Sequence, residues 1–523
     1  LNSFNSLSSV NILLTFLVMI LSGICSLFQM QATYSTLNPT TGELEKTLVT
    51  VENLFGFNGL KYIISNAAKN FISFTTLSTL LISLIGLGIA QATGLIDTFI
   101  KRVLVKIDNK KITFIIIFLA TISSLINDVG YVILIPIAAL VFLKNNRNPI
   151  AGIIAAFCGV AFGYGVTVFV GSMEVNLVST TEIAARLIDK SYHVALTSNL
   201  IIIIVTSIIL SIVGTIIIEK IIIPKLGRYK DTNDLARTHE IEIIESVEEA
   251  EQRKLAEEIH EKKGMKYAMI TSIIFALFFI YSLIPNLPFS GMLLDMTEYT
   301  YLDQVFGANS YFQDGFTYMV SLFFIATGIA YGIGAKTIKN DKELLVDSSK
   351  YMVEVTALIP MVFFATQFIA VFRKTNIATI LTAWSANLIN SLNFSGIPLI
   401  IMVVIIFAIV NLFNTTPTAK WTILAPIVVP KLMQANISPE FSQFILRATD
   451  SMTKGITPLL TYFVIFVGYL NIYNSNKRRP ITIGRALKLI TPYCIIISLV
   501  WLAIILLWYV TGLPIGTHIY PTL

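Results

Sequence analysis

The sequence predicts an all-α polytopic membrane protein: nine transmembrane helices plus two re-entrant helical hairpins, arranged as an inverted repeat. Three observations predict it. The chain of 523 residues is 55 % hydrophobic and only 13 % charged, with mean hydropathy +0.76, whereas a soluble domain carries about 25 % charge. Apolar runs of about twenty residues recur along it, the length that crosses a ~30 Å hydrocarbon core as helix. Lys and Arg gather in short connections between those runs, so sidedness can be read from them. This composition excludes a soluble enzyme, a nucleic-acid binder and a secreted disulfide scaffold. The net charge of +6 resides in the loops, and Cys25, Cys158 and Cys494 all lie in apolar runs.

The runs fall at 10–28, 71–95, 112–143, 149–170, 194–217, 267–285, 311–335, 351–372, 396–433, 440–471 and 489–511. The first lacks a basic flank and a small-residue cleavage site, so it reads as a retained helix rather than a signal peptide. Connections 101–111 and 477–488 each hold five basic residues and 219–266 holds ten, whereas 286–310 and 512–523 hold none. Positive-inside sidedness then puts the N-terminus in the cytoplasm and the C-terminus outside. The run 112–143 has 32 residues, about 48 Å of helix, too long for one crossing. It is broken at Asn127-Asp128-Val129-Gly130, and the loop after it, with Lys144 and Arg147, is basic again. A helix that enters, turns and returns satisfies both length and charge. The run 396–433 has the same anatomy, broken at Asn414-Thr415-Thr416-Pro417-Thr418. Counting both as hairpins leaves nine crossings, with Arg373 and Lys374 as an exception to the charge rule. The chain thus divides into 1–111 (helices 1 and 2), 112–218 (hairpin 1, helices 3 and 4), a charged cytoplasmic connector 219–266, 267–395 (helices 5 to 7 and a connecting helix), 396–471 (hairpin 2, helix 8) and 472–523 (helix 9 and tail). In the connector, twelve acidic and ten basic residues predict a solvated surface helix.

Laid on itself at an offset of 290, the chain matches without gaps. Ile133-Leu134-Ile135-Pro136-Ile137 falls on Ile423-Leu424-Ala425-Pro426-Ile427, Tyr131 on Trp421, Pro149 on Pro439, and Gly165-Val166-Thr167 on Gly455-Ile456-Thr457. Five crossings lie between the two hairpin openings, so the units are inverted relative to one another. Inverted repeats with paired broken segments are the signature of a secondary transporter with a midplane site.

Charges inside the spans cost several kcal/mol each unless paired or hydrated, so the few present are candidates for the site. Asp128 is at the first hairpin tip beside Asn127, and Lys420 is beside the second, next to Trp421. Arg447, Asp450 and Lys454 follow at helical spacings of three and four, on adjoining parts of one face. Glu174 follows a Gly-rich stretch and reads as close to an unwound segment or the outer surface. The basic groups suit an anionic substrate, Arg447 by bidentate contact with a carboxylate. Asp128, Asn127, Asn411 and Asp450 supply oxygens for sodium or a carboxylate for a proton. Trp421 either stacks on an aromatic part of the solute or packs between helices. None of the four histidines (His193, His239, His260, His518) lies deep in a span, which argues against a histidine proton relay.

Across nearly its whole length the chain resembles the AbgT family of p-aminobenzoyl-glutamate transporters. The stretches that carry the resemblance are Asn127-Asp128 through Pro136, Arg147-Asn148-Pro149-Ile150-Ala151-Gly152, Trp421 through Pro430, Arg447-Ala448-Thr449-Asp450-Ser451 and Gly512-Leu513-Pro514-Ile515-Gly516 with Tyr520-Pro521. The resemblance implies a homodimeric inner-membrane carrier, coupled to a cation gradient (Na+ or H+) and taking p-aminobenzoyl-glutamate or a related anionic aromatic solute. It implies functional positions at Trp421, Pro439, Arg447, Asp450 and Pro458, with Asn411 as an ion ligand. Thr416, Thr418, Lys420 and Glu174 complete the expected substrate-binding set; Asn127, Asp128, Asn411 and Asp450 form the expected ion-coupling set. Three features depart from the family pattern: Glu174 in place of Asp, the Thr415-Thr416-Pro417-Thr418-Ala419-Lys420-Trp421 tip, and Lys454. The alternatives within transport are export of sulfonamide-type antimetabolites or carriage of another organic dicarboxylate. An intramembrane hydrolase built on Asp128 and Asp450 lacks any supporting motif, no cofactor or metal site is expected, and a channel fits the paired breaks less well than alternating access.

Overall fold

Helices make up almost all of the regular structure in the computed structural model, which describes residues 4–37, 44–104, 107–126, 128–229, 247–307, 309–356, 358–476 and 479–523. Asn127 therefore lies outside the described residues. In chain order, α1 (Phe4–Leu27) leads into an antiparallel hairpin of β1 (Gln31–Leu37) and β2 (Leu44–Thr50), with Gln31 opposite Thr50. Next come α2 (Phe57–Ile72), α3 (Thr75–Ala92), α4 (Leu95–Arg102), α5 (Asn109–Ile122), α6 (Val129–Lys144), α7 (Pro149–Gly163), α8 (Ser172–Ala185), α9 (Leu200–Ile217) and the short α10 (Ile223–Leu226). The second half holds α11 (Val247–Tyr281), α12 (Tyr301–Phe306), α13 (Tyr311–Ala335), α14 (Asp341–Thr356), α15 (Leu358–Lys374), α16 (Ile377–Ser391), α17 (Gly396–Phe413), α18 (Pro417–Gln434), α19 (Pro439–Thr453), α20 (Phe463–Ile472) and α21 (Ile483–Thr511).

Among the described residues, seven helices are long and apolar enough to cross a membrane, or eight if α15 and α16, bent by 50° at their junction, count as one span. The 16-residue α6, 15-residue α7 and 10-residue α20 are too short for a ~30 Å core at about 1.5 Å per residue. They belong instead to broken segments. Both long runs read as hairpins are interrupted. A 3-10 turn at Ser123–Ile126 separates α5 from α6, and α17 gives way to α18 across residues 414–416. Pro417 opens α18 at a first-turn position, where its missing N–H costs nothing.

The repeat offset carries through to the helices. α7 and α19 each run 15 residues from Pro149 and Pro439, again 290 apart. Both are capped just before the proline: Asn148 Oδ1 accepts from the Ile150 amide at 3.1 Å, and Ser438 Oγ from the Phe441 amide at 3.3 Å. Both end at a glycine-containing break that presses on the other unit. A Cβ on Gly165 would stand 2.4 Å from the Arg447 carbonyl oxygen and 2.7 Å from Ser451 Oγ; one on Gly455 would meet Phe162 at 2.7 Å and Ala161 at 3.1 Å. Ser451 and Ala161 are themselves 290 apart, so the two contacts are reciprocal. Rings complete the seam: Phe157 stacks on Phe466 at 4.0 Å and Tyr131 on Tyr462 at 4.7 Å.

Several elements depart from the sequence expectation. The run 440–471 is not one helix: α19 stops at Thr453, and α20 begins at Phe463 after a 3-10 turn at Lys454–Ile456. A few polar residues inside an otherwise apolar run hid that break. Likewise 149–170 ends at Gly163, and a separate α8 follows. The span expected at 71–95 is α3, preceded by α2, whose apolar residues line only one face. The span expected at 351–372 begins at Leu358, after the polar α14. The connector helix does not stop at the membrane, because α11 runs unbroken for 35 residues into the apolar run. The β-hairpin was not expected; Trp384 Nε1 donates to the Gln31 carbonyl at 3.1 Å, and Ala32 packs with Ile380, Ala383 and Ile423.

Around this seam, α3, α11 and α13 pack through small residues: Gly334 against Gly264, Gly328 against Ala90, and Gly86 against Ser321. Such positions let helix backbones approach closely within a membrane. The tail after α21 ties back, with the Ser438 amide donating to the Pro521 carbonyl at 2.9 Å and the Ile201 amide to that of Ile515 at 3.0 Å. Because backbone lies under the position, Gly165→Ala is expected to cost about 1–3 kcal/mol. Gly484→Ala, with open space around it, should leave thermal unfolding in detergent essentially unchanged.

Candidate substrate and ion site

Three basic and three acidic side chains converge where the breaks meet: Arg447, Lys420 and Lys454 with Glu174, Asp450 and Asp128. Arg447 and Asp450 leave α19 one turn apart, and their side chains are 0 % and 1 % exposed. Arg447 Nη2 stands 2.5 Å from Glu174 Oε1, which ties α19 to the first turn of α8. Glu174 is held from its other side by the Gly171 amide, which donates to Oε2 at 2.8 Å. Of the two placements expected for Glu174, the structure shows the one beside an unwound segment: it follows the non-helical stretch before α8 and, at 2 % exposure, is sealed. The longer Glu side chain bends back to cap its own helix while meeting the guanidinium. The contact is a close charge pair without linear hydrogen bonds. Among the described residues, Nε, Nη1 and Nη2 of Arg447 meet no acceptor in hydrogen-bond geometry. A buried guanidinium with unspent donors is costly, and it is built to receive planar oxygens.

Asp450 faces Asn411 near the end of α17 and Lys420 in the first turn of α18. Lys420 Nζ donates to Asp450 Oδ1 and, at 2.7 Å, to Asn411 Oδ1. Asn411 turns its amide nitrogen to the Asp450 carbonyl and to Thr453 Oγ1, both at 2.8 Å. Two helices, α17 and α19, therefore build one oxygen cradle, and an ammonium from α18 fills it. A free cation placed there as well would stand within about 4 Å of Nζ, where like charges repel by about 4 kcal/mol at an effective dielectric of 20. As the side chains stand, the cradle does not fit an additional sodium ion.

Lys454 follows at the end of α19 and lies over the Tyr164 ring, 3.1 Å from its centroid. Tyr164 belongs to the Gly165 break of the other unit, and Asp128 and Asp450 are the acids whose charges reach Lys454. Asp128 occupies the N-cap position of α6 without a side-chain capping bond, and its Oδ1 has no hydrogen-bond partner among the described residues. The glycine-containing breaks are stitched by hydroxyls to the turn between α5 and α6 and to α17: Ser124 Oγ donates to the Val166 carbonyl at 3.0 Å, and Thr457 Oγ1 to that of Leu412 at 2.7 Å.

Not every expected residue joins this cluster. Trp421 is fully buried, with its Nε1 donating to Thr181 Oγ1 at 2.8 Å and its ring edge-on to Phe407. Thr181 in turn donates to Gln443 Oε1 at 2.9 Å, so the indole bridges α18, α8 and α19 and exposes no stacking face. Thr416 and Thr418 are exposed, pointing away because the first turn of α18 directs only Pro417 and Lys420 inward. Pro439 opens α19 at its far end, about 12 Å along the axis from Arg447. Pro458 lines a crevice with Asn11, Ile369 and Ile483. Thr181, Gln443, Thr453 and Tyr164 were not singled out by sequence, because each gains its role only through a partner distant in the chain. Removing Glu174 strands a buried cation, so Glu174→Ala is expected to cost about 3–5 kcal/mol, whereas Glu174→Leu with Arg447→Met recovers most of it. Thermal unfolding of the two variants checks this.

Comparison with known proteins identifies the family. The profile described as "AbgT putative transporter family" matches residues 5–523. The p-aminobenzoyl-glutamate transport protein of Escherichia coli (strain K12) is 30 % identical over 512 residues, covering 98 % of this chain and 93 % of that protein. Among solved structures, the Alcanivorax borkumensis YdaH transporter is 28 % identical, covering 98 % of this chain and 100 % of that one, with a TM-score of 0.48. Neisseria gonorrhoeae MtrF, described with a class of antimetabolite efflux pumps, is also 28 % identical, covering 98 % and 97 %, with a TM-score of 0.47. The chain is a multi-pass membrane transporter, not an enzyme, and belongs to the AbgT family.

Proposed function

We propose that this transporter carries an anionic, partly aromatic small solute of the p-aminobenzoyl-glutamate class by alternating access, driven by a cation gradient. The observation that carries the reading is the sealed Arg447 guanidinium with donors unspent on protein acceptors. A substrate carboxylate would compete with Glu174 for it, and charge-assisted bidentate contact favours the substrate where geometry is planar. The substrate class follows from the name of the bacterial relative together with this cationic group.

In the same reading the fold is nine crossings and two re-entrant hairpins, with the units inverted and the solute between them. The reciprocal packing of Gly165 and Gly455 supports it, since two similar units of opposite orientation can exchange arrangements and so open the site to each face in turn. The chain acts as a homodimer in the inner membrane, N-terminus inside. The apolar, exposed side of α11 (Ile273, Ile274, Leu277) supplies surface for lipid or for the second subunit. Export of sulfonamide-type antimetabolites is the second reading, favoured by the description of the gonococcal relative. It uses the same cation with net flux reversed.

Vesicles reconstituted with the protein are expected to accumulate labelled p-aminobenzoyl-glutamate under a cation gradient. Arg447→Met with Glu174→Leu, which strands neither charge, should weaken its binding about 10- to 100-fold, the worth of a charged hydrogen bond. Unchanged binding in that variant, or flux indifferent to every gradient, would overturn the reading. In a susceptible host, sulfonamide resistance conferred by the wild type and lost with Asp450→Ala would favour export.

A further inference from the structure

We propose that the ammonium of Lys420 is a tethered cation standing where a coupling sodium would otherwise sit, so that the cradle of Asn411 and Asp450 operates without sodium. The inference rests on the transporter reading above and narrows it by removing one class of coupling ion from this site.

The cradle is made of the oxygens a hard monovalent cation uses. One is an amide carbonyl, Asn411 Oδ1; the other is a carboxylate, Asp450 Oδ1. Both are spent on Nζ. An ammonium and a sodium ion carry the same charge and seek the same acceptors, so either can balance Asp450 here. Only one can do so at a time. The arrangement is preset: the Asn411 amide nitrogen is fixed by the Asp450 carbonyl and by Thr453 Oγ1, so its oxygen is turned toward Lys420. Asp450 keeps a second buried oxygen, Oδ2, with no hydrogen-bond partner among the described residues. With the Lys420 side chain gone, Asn411 Oδ1 and both carboxylate oxygens would line the space that Nζ fills. Lys420 is thus a specificity-determining residue that keeps sodium out by supplying the charge itself.

A merely structural ion pair predicts something different. Removing the lysine would then destabilise the protein equally in any salt. The test compares thermal unfolding of the purified full-length protein and of Lys420→Ala, in sodium chloride and in equal choline chloride, without substrate. The wild type is expected to unfold at the same temperature in both. Lys420→Ala is expected to gain a saturable stabilisation by sodium, about 3 °C or more at saturation, which Lys420→Ala with Asp450→Asn loses. The inference is overturned by wild-type stabilisation specific to sodium and abolished by Asn411→Ala, or by a folded Lys420→Ala that ignores sodium. If Lys420→Ala does not survive purification, Lys420→Met, which keeps the apolar stem, takes its place, and its indifference to sodium overturns the inference equally. Because no solute is present, the outcome is independent of whether p-aminobenzoyl-glutamate is the substrate.

Discussion

The pairing of Arg447 with Glu174, sealed between two broken helical units, sets the terms for the rest of the structure. Neither charge is tolerable at that depth alone. The pair therefore requires α8 and α19 to meet, and they meet only because the chain between α7 and α8 unwinds. The unwound stretch must lie against α19 without a side chain at Gly165, where the Arg447 carbonyl leaves no room for one. Ser451 Oγ then accepts the freed Gly165 amide at 2.7 Å and itself donates to the Arg447 carbonyl at 2.9 Å. Backbone that leaves a helix inside a membrane needs such protein cover. A single buried guanidinium thus dictates a break, a glycine and a hydroxyl.

The second charge pair has a different character. Lys420 spends its donors on Asp450 and Asn411, while Arg447 beside it holds donors in reserve. One cation is hydrogen-bonded to the protein, and the other is charge-paired at close range without a hydrogen-bond acceptor among the described residues. The two sit one turn apart through Asp450 and Arg447 on α19, so a rearrangement of that helix against α8 and α18 alters both together. Trp421, bonded to Thr181 and through it to Gln443, marks the same three-helix junction.

Much of the fold was legible because its unusual features are local. Asn127-Asp128 and Asn414 to Thr418 interrupt apolar runs too long for one crossing, and Pro149 and Pro439 begin helices at matching offsets. The break at Lys454 to Ile456 was less legible, because only a few polar residues mark it within an apolar stretch. The β-hairpin alternates weakly, and one of its strands faces α16 and α18, so its burial is decided by partners more than 300 residues away. The site shows the same division. Arg447, Asp450 and Lys420 declared themselves as charges where charges are costly. That Glu174 is the partner of Arg447, and that Thr181 rather than a solute meets Trp421, follows from contacts between segments separated by more than 200 residues, which no local pattern encodes.

All of this depends on two units of opposite orientation meeting inside the bilayer, and sidedness labelling decides that. Asn146 lies in the exposed turn after α6, at the end of the first long broken run, and Ser395 is exposed just before α17, at the start of the second. Single cysteines at these sites, in a background freed of the buried Cys25, Cys158 and Cys494, should react with an impermeant thiol reagent from opposite faces of the membrane. Reaction of both from the same face would contradict the account.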